Sequence, residues 1–195
     1  MKSHARSVII GGGAMGGGLL YHLAKEGWKD VVLVEKGELT SGSTWHAAGL
    51  IPHFIGSLNM AKIHFYGADL YKKLEEETGQ ATGWHGCGAI RLAIDQDQVD
   101  WFHYVKGVLD QVEAECHLLG PDEISKVHPL LETEGFLMGA YTTGDGHTDP
   151  SGATQAMAIG ARNLGAEIYL NNRVTDTTLL PSGEWEVITE KGTII

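Results

Sequence analysis

Cysteine is scarce in this chain of 195 residues, and long apolar runs are absent. Its two cysteines, Cys87 and Cys116, form no CxxC pair, which argues against a disulfide framework and favours reduced thiols. No stretch approaches the roughly 20 apolar residues of a membrane span, and no signal peptide precedes the first strand. We therefore expect a cytoplasmic protein, or one of the mitochondrial matrix if the source is eukaryotic, although no transit peptide is seen.

Positive charge is also in short supply. The sequence has 14 Lys and Arg against 25 Asp and Glu, a net charge of -11. Nucleic acids and anionic lipids are bound through basic surfaces, so neither is expected as the main partner. Ten histidines are present, but none has HExxH or Cys/His ligand spacing, and we predict no metal site.

Two short apolar runs, residues 7–11 and 31–35, predict buried strands. Between them, residues 14–26 have the apolar spacing of a helix that ends at Gly27. Buried strands joined by a helix are typical of a βαβ start, which predicts a parallel sheet. Residues 166–170 form the third and last candidate for that sheet.

The remaining elements are less regular. Asp149 and Pro150 predict the start of a helix, since Asp caps helix N-termini and Pro fits the first helical position. Periodicity predicts helices over 59–77, 98–117, 122–127 and 150–164, and strands over 86–94, 137–143 and 184–190.

Residues 193–195 resemble the beginning of a return strand. An apolar strand left unpaired is prone to aggregation, and a dinucleotide fold has about five or six parallel strands rather than three. From these two features we expect the chain to be the N-terminal part of a longer protein.

A glycine-rich motif follows the first strand. Gly11, Gly13 and Gly16 fit the GxGxxG pattern, in which the glycines allow a tight turn, an approaching pyrophosphate and close helix packing. The N-terminus of the following helix would offer free N–H groups to phosphates. Glu35 ends the second strand roughly 20 positions after Gly16, where an acid accepts hydrogen bonds from an adenosine ribose. This pattern predicts a dinucleotide site without separating FAD from NAD.

A second segment, Gly42-Ser43-Thr44-Trp45-His46-Ala47-Ala48-Gly49-Leu50, is specific enough to suggest a family. With VIIGGGAMGGG, VVLVEKGELTSGSTWHAAGL, KKLEEETGQ and GDGHTDP, it resembles the dimethylglycine and sarcosine dehydrogenases, flavoenzymes of the D-amino-acid-oxidase-like group. The resemblance covers nearly the whole chain. It implies FAD, bonded covalently through His46 to the flavin 8α-methyl carbon.

The resemblance also implies roles for other residues. Ala14 and Met15 would lie on the pyrophosphate, Lys36 would follow the ribose acid, and Val174 would contact the adenine through its backbone. Val174 as an ordinary strand residue remains open. We interpret Gly144 to Pro150 as a turn and a helix cap, and we identify no catalytic residue. Arg91 could pair with a substrate carboxylate or with an acid of the protein itself.

The implied fold is α/β: a Rossmann-like FAD-binding fold of the D-amino-acid-oxidase type, incomplete, with part of an α+β substrate domain inserted. Residues 1–195 would supply the nucleotide-binding βαβ part from 5–57 and 150–195, and part of the substrate region from 58–149. The later FAD-domain strands and a folate-binding domain, which would bind tetrahydrofolate, would be missing.

The implied function is oxidative N-demethylation of a small N-methylated amino acid, with dimethylglycine first among the candidates. An electron-transfer flavoprotein is a possible partner. A sarcosine dehydrogenase or oxidase is one alternative, and a non-catalytic regulatory flavoprotein of the same family is another. His46 argues against the regulatory alternative, since such relatives lack this histidine.

Overall fold

The computed structural model describes residues 1–195, and the chain divides into two compact units. The first unit comprises residues 1–48, 73–83 and 149–195, and the second comprises 49–72 and 84–148. The helices are α1 (Ala14–Lys25), α2 (Leu58–Thr78), α3 (Gln96–Asp110), α4 (Pro121–Val127) and α5 (Pro150–Asn163), with a 3-10 turn at Thr44–His46. The strands are β1 (Ser7–Ile10), β2 (Val31–Val34), β3 (Leu50–Ile51), β4 (Ala89–Ala93), β5 (Cys116–Leu119), β6 (Met138–Thr142), β7 (Gly146–His147), β8 (Glu167–Tyr169), β9 (Val174–Leu179), β10 (Trp185–Thr189) and β11 (Gly192–Ile194).

The first unit is built on a parallel sheet with the strand order β1-β2-β8. All four residues of the central strand β2 are buried, which explains its unbroken apolar sequence. The predicted parallel pairing of these three strands is confirmed. Helices α1 and α5 pack against each other at two close approaches, where Gly17 lies against Thr154 and Gly160 against the ring of Tyr21.

The first unit also contains an antiparallel sheet with the order β11-β10-β9. The expectation that the return strand is unpaired is wrong: β11 pairs with β10, and Ile194 is fully buried. Ile195 extends the pairing by hydrogen bonds to Ser3 and Ala5. Strand β9 was not predicted beyond Val174, because nearly all of its side chains are exposed and its pattern is polar.

The second unit contains an antiparallel sheet with the order β4-β6-β5. A core that includes Phe54, Phe102, Val105 and Leu109 joins α3 to this sheet. The helix predicted over 98–117 is wrong beyond Asp110. Ala114 and Cys116 are buried at alternate positions, and this spacing suits strand β5 rather than a longer helix.

Two short strands complete the second unit. Leu50 and Ile51 of β3 pair antiparallel with His147 and Gly146 of β7, and His147 also bridges to His85. No helix of the protein combines the length and the apolar character needed to cross a bilayer.

The predicted cap of α5 is confirmed, and it can be tested by mutation. The Asp149 carboxylate accepts hydrogen bonds from the backbone N–H groups of Ser151 and Gly152. Replacing Asp149 with Ala should lower the free energy of unfolding by about 1 kcal/mol, because two helix donors lose their acceptor. Chemical denaturation measures this change. Glu76→Ala, on the exposed side of α2, is the control, and an equal loss there would refute the capping role.

Candidate functional site

The glycine turn between β1 and α1 depends on two positions. Gly11 has a φ of +105°, a backbone conformation that residues with a side chain rarely adopt. A Cβ atom at Gly16 would overlap the carbonyl oxygen of Gly11. Both glycines therefore have the roles predicted for them, the tight turn and the close packing of helix on strand.

Helix α1 begins at this turn without a side-chain cap from its own N-cap residue, Gly13. Thr44 supplies the missing acceptor, since the Ala14 N–H donates to Thr44 Oγ1 over 3.0 Å. A Cβ at Gly13 would lie 2.9 Å from that same oxygen, so a side chain there would displace the Thr44 hydroxyl. The first-turn N–H groups of Met15 and Gly16 have no carbonyl partner within the helix and remain available to an anion.

Glu35 lies at the end of β2, and its side chain is 8% exposed. Oε2 accepts the Gly12 N–H over 2.6 Å, and Oε1 accepts the Gly37 N–H over 2.8 Å. A carboxylate offers about four acceptor sites, so each oxygen can still accept one more hydrogen bond, as a ribose would require. Gly12 and Gly37 were not among the predicted site residues. The sequence feature that could have identified these two residues is their position in the turns on either side of the acid.

The second segment turns sharply at Thr44–His46, where the His46 N–H donates to the Ser43 carbonyl. The His46 side chain is exposed, and its ring lies on that of Trp45 with 3.8 Å between centroids. His46 Nδ1 lies 3.3 Å from the Gly42 carbonyl oxygen. A carbonyl can only accept, so Nδ1 is the donor in this contact, and Nε2 is the nitrogen that would carry the lone pair of a neutral ring.

The other predicted residues differ in their exposure and position. Most are exposed beside the turns just described, and Met15 reaches 88% exposure. This group comprises Ala14, Met15, Lys36, Gly42, Ser43, Trp45, Ala47, Ala48 and Leu50. Gly49 is partly buried with a φ of +72°. Val174 lies in a different sheet, where it begins β9 and pairs with Thr189, and its contact with adenine remains a prediction.

Arg91 belongs to the second unit, where it has internal partners. Its guanidinium lies over the Phe54 ring at 4.6 Å, and Nη1 is 3.8 Å from Asp145 Oδ2. Burial lowers the pKa of Arg91, while the negative charge of Asp145 opposes that change. The structure therefore favours the second of the two alternatives, pairing with an acid of the protein itself.

The residues of the first unit fit a dinucleotide cofactor. Glycine leaves the turn without Cβ atoms at Gly11, Gly13 and Gly16, where a pyrophosphate would approach. The first-turn N–H groups of α1 lack carbonyl partners within the helix, and a buried acid lies at the end of the second strand. The Thr44 hydroxyl uses its oxygen to accept from Ala14 and can still donate its proton to a phosphate oxygen.

Comparison with known families settles which cofactor class this is. The model of the family described as FAD dependent oxidoreductase matches residues 6–195. The chain belongs to this family. FAD is thereby favoured over NAD, and the fold is confirmed as the α/β type predicted for a D-amino-acid-oxidase-like flavoenzyme.

Individual proteins of known identity resemble the chain over most of its length. Dimethylglycine dehydrogenase, mitochondrial, of Homo sapiens is 48% identical over 99% of this chain. Sarcosine dehydrogenase, mitochondrial, of Homo sapiens is 35% identical over 90% of it. Among solved structures, the crystal structure of L-proline dehydrogenase from P. horikoshii superposes with a TM-score of 0.91 and shares 27% sequence identity. The match covers 100% of this chain and 51% of that one. The chain spans about a fifth of each curated relative, 22% and 19% respectively.

Glycine substitutions in α1 test the turn. Gly16→Ala should abolish tight FAD binding and destabilise the first unit, because its methyl group would meet backbone that cannot move aside. Gly18→Ala is the matched control, since its Cβ would meet only Met157 Sδ at an ordinary 3.7 Å and alanine favours a helix. Flavin fluorescence titration and thermal unfolding measure both effects. Equal behaviour of the two variants would contradict the assigned role of Gly16.

A second test addresses the buried acid. Glu35→Gln should lower the free energy of unfolding by roughly 1.5–3 kcal/mol, the value typical of a hydrogen bond to a charged group, and should weaken FAD binding. The reason is that an amide NH2 would face one of the two backbone donors. Glu38→Gln is the control: it is exposed, and its amide oxygen can still accept from Asn171. The measurement is FAD affinity together with unfolding in urea. Unchanged values for Glu35→Gln would show that the carboxylate does not hold the turn.

Proposed function

We propose that the protein that carries this chain oxidatively demethylates a small N-methylated amino acid, with dimethylglycine as the first candidate substrate. The observation that carries the proposal is His46 within STWHAAG, exposed on a tight turn that Thr44 fixes to the N-terminus of α1. The 48% identity with a dimethylglycine dehydrogenase supports the substrate class.

The residues proposed to hold FAD have separate tasks. The Met15 and Gly16 N–H groups and the Thr44 hydroxyl would bind the pyrophosphate, and Glu35 would accept hydrogen bonds from the ribose. Bound FAD would supply the chemistry by accepting a hydride from the N-methyl carbon of the substrate. Water then adds to the resulting iminium, which releases formaldehyde and leaves the demethylated amine.

His46 is the residue proposed to bond covalently to the flavin 8α-methyl carbon. With Nδ1 donating to the Gly42 carbonyl, the nitrogen left with a lone pair is Nε2, so Nε2 is the proposed point of attachment. The Trp45 ring packed on the imidazole limits its rotation. Both contacts favour one orientation of the nucleophile before any bond forms.

Two further partners belong to this proposal through the family resemblance. Tetrahydrofolate would take up the one-carbon unit, and an electron-transfer flavoprotein would accept the electrons. Sarcosine is the alternative substrate, and the 35% identity with a sarcosine dehydrogenase supports it less strongly than the higher value supports dimethylglycine. Comparing kcat/KM for dimethylglycine and sarcosine, with formaldehyde as the measured product, decides between the two substrates.

Substitution of His46 tests the covalent link. In the complete protein the yellow colour should survive acid precipitation, and mass spectrometry of a digest should place the flavin on the peptide that contains His46. His46→Ala should release FAD on denaturation yet retain folding, because the pyrophosphate and ribose contacts remain. His22→Ala, in which a histidine of α1 is removed, serves as the control and should keep its flavin. Acid-labile flavin in the wild-type protein would overturn the proposed link.

A further inference from the structure

The signature GDGHTDP contains a buried carboxylate that the proposed chemistry does not use. Asp145 is 1% exposed, and three hydrogen-bond donors face its carboxylate. Oδ1 accepts the backbone N–H of His53 and faces His53 Nδ1, both at 2.7 Å, and Oδ2 accepts the Thr142 hydroxyl at 2.6 Å. Arg91 adds a positive charge 3.8 Å from Oδ2. A buried charge needs such partners, and the number of donors around this one carboxylate indicates that its position is closely specified by the fold.

The Asp145 carboxylate binds a residue of the stretch that follows the proposed flavin segment. His53 lies three residues beyond Leu50, the last residue of the segment, and it is itself buried. Gly144 lies directly against the His53 ring, where a Cβ would come within 3.1 Å of Cε1. The turn before Asp145 is therefore shaped to let the imidazole reach the carboxylate.

The neighbours of Asp145 in the signature hold the same stretch of chain. His147 and Gly146 pair with Leu50 and Ile51, and the Thr148 N–H donates to the Gly49 carbonyl over 2.9 Å. A Cβ at Gly146 would overlap the His85 carbonyl oxygen, so this strand tolerates only glycine there. Residues 49–53, which we call the segment arm, are thus fixed at successive positions by residues 145–148.

We propose that Asp145 is a positioning residue for the flavin segment: by binding His53 it holds the segment arm, and thereby fixes the C-terminal end of the segment that carries His46. The inference rests on the proposed covalent function. His46 lies only three residues before Gly49, so the bonds that hold the segment arm limit where the backbone can place the imidazole. Misplacement of a reacting group by about 1 Å can slow a reaction by roughly 100-fold.

The test separates the rate of covalent attachment from the affinity for FAD. Asp145→Ala in the complete protein should slow the formation of acid-stable flavin by roughly 10- to 100-fold. Asp145→Asn should restore part of the rate, because its amide oxygen can still accept the His53 N–H. FAD affinity, measured in a His46→Ala background so that no covalent bond forms, should be the same with and without Asp145→Ala. A general loss of structure would lower the affinity as well as the rate.

A neighbour in the same signature provides the control. Asp149→Asn keeps an equally good cap on α5 and should leave the attachment rate unchanged. If Asp145→Ala does not fold, His53→Gln carries the test, since it removes the ring contact and keeps the backbone donor.

Attachment at the wild-type rate in the Asp145 and His53 variants, with covalent flavin present in the wild-type protein, would overturn the positioning role alone. A fall in FAD affinity equal to the fall in rate would also overturn it. Absence of acid-stable flavin from the wild-type protein would remove the basis of this inference and of the covalent link together.

Discussion

The carboxylate of Glu35 accepts two backbone N–H groups at the carboxyl end of β2, in a place that water barely reaches. One donor, Gly12, belongs to the turn after β1, and the other, Gly37, belongs to the turn after β2. A buried charge that lacked these donors would be costly, so the acid and the two turns stabilise one another. The geometry of the glycine motif therefore depends on a residue more than 20 positions away. The same acid keeps spare acceptor capacity for a ribose.

The second unit also contains a buried carboxylate that is held by a distant backbone donor. Asp145, like Glu35, is a buried carboxylate that accepts a backbone N–H from a distant part of the sequence, in this case from His53. Its charge is balanced by Arg91, which explains why an arginine on the core side of β4 is tolerated beside Phe54. The proposed flavin segment lies in sequence between Glu35 and His53. Its first part is bonded to α1 through Thr44, and the arm beyond it is bonded to β7.

Much of the first unit could be predicted because its signals are local. The apolar run of β2, the turn at Gly11, the close packing at Gly16 and the Asp149-Pro150 cap each depend on neighbours along the chain, and each was confirmed by the structure. The errors arose where partners are distant. Strand β9 is exposed and polar, so no periodicity revealed it, and β11 looked unpaired because its partner β10 and the contacts of Ile195 with Ser3 and Ala5 cannot be read locally. The helix predicted over 98–117 failed beyond Asp110 because the chain from Cys116 onward pairs with the distant strand β6.

The sequence by itself determined the class of fold, the glycine turn, the position of the acid that ends β2 and the family to which STWHAAG points, since short-range spacing and residue chemistry encode all four. It could not determine that Thr44 caps α1, that Gly12 and Gly37 donate to Glu35, or that Arg91 pairs with Asp145 rather than standing free. Apart from the Gly37 bond, those contacts join residues 23 to 54 positions apart, and packing selects them from among several acids and donors of equal chemistry. Tertiary structure also showed that GDGHTDP, besides capping α5, binds residues 49–53, because only folding brings His53 to Asp145.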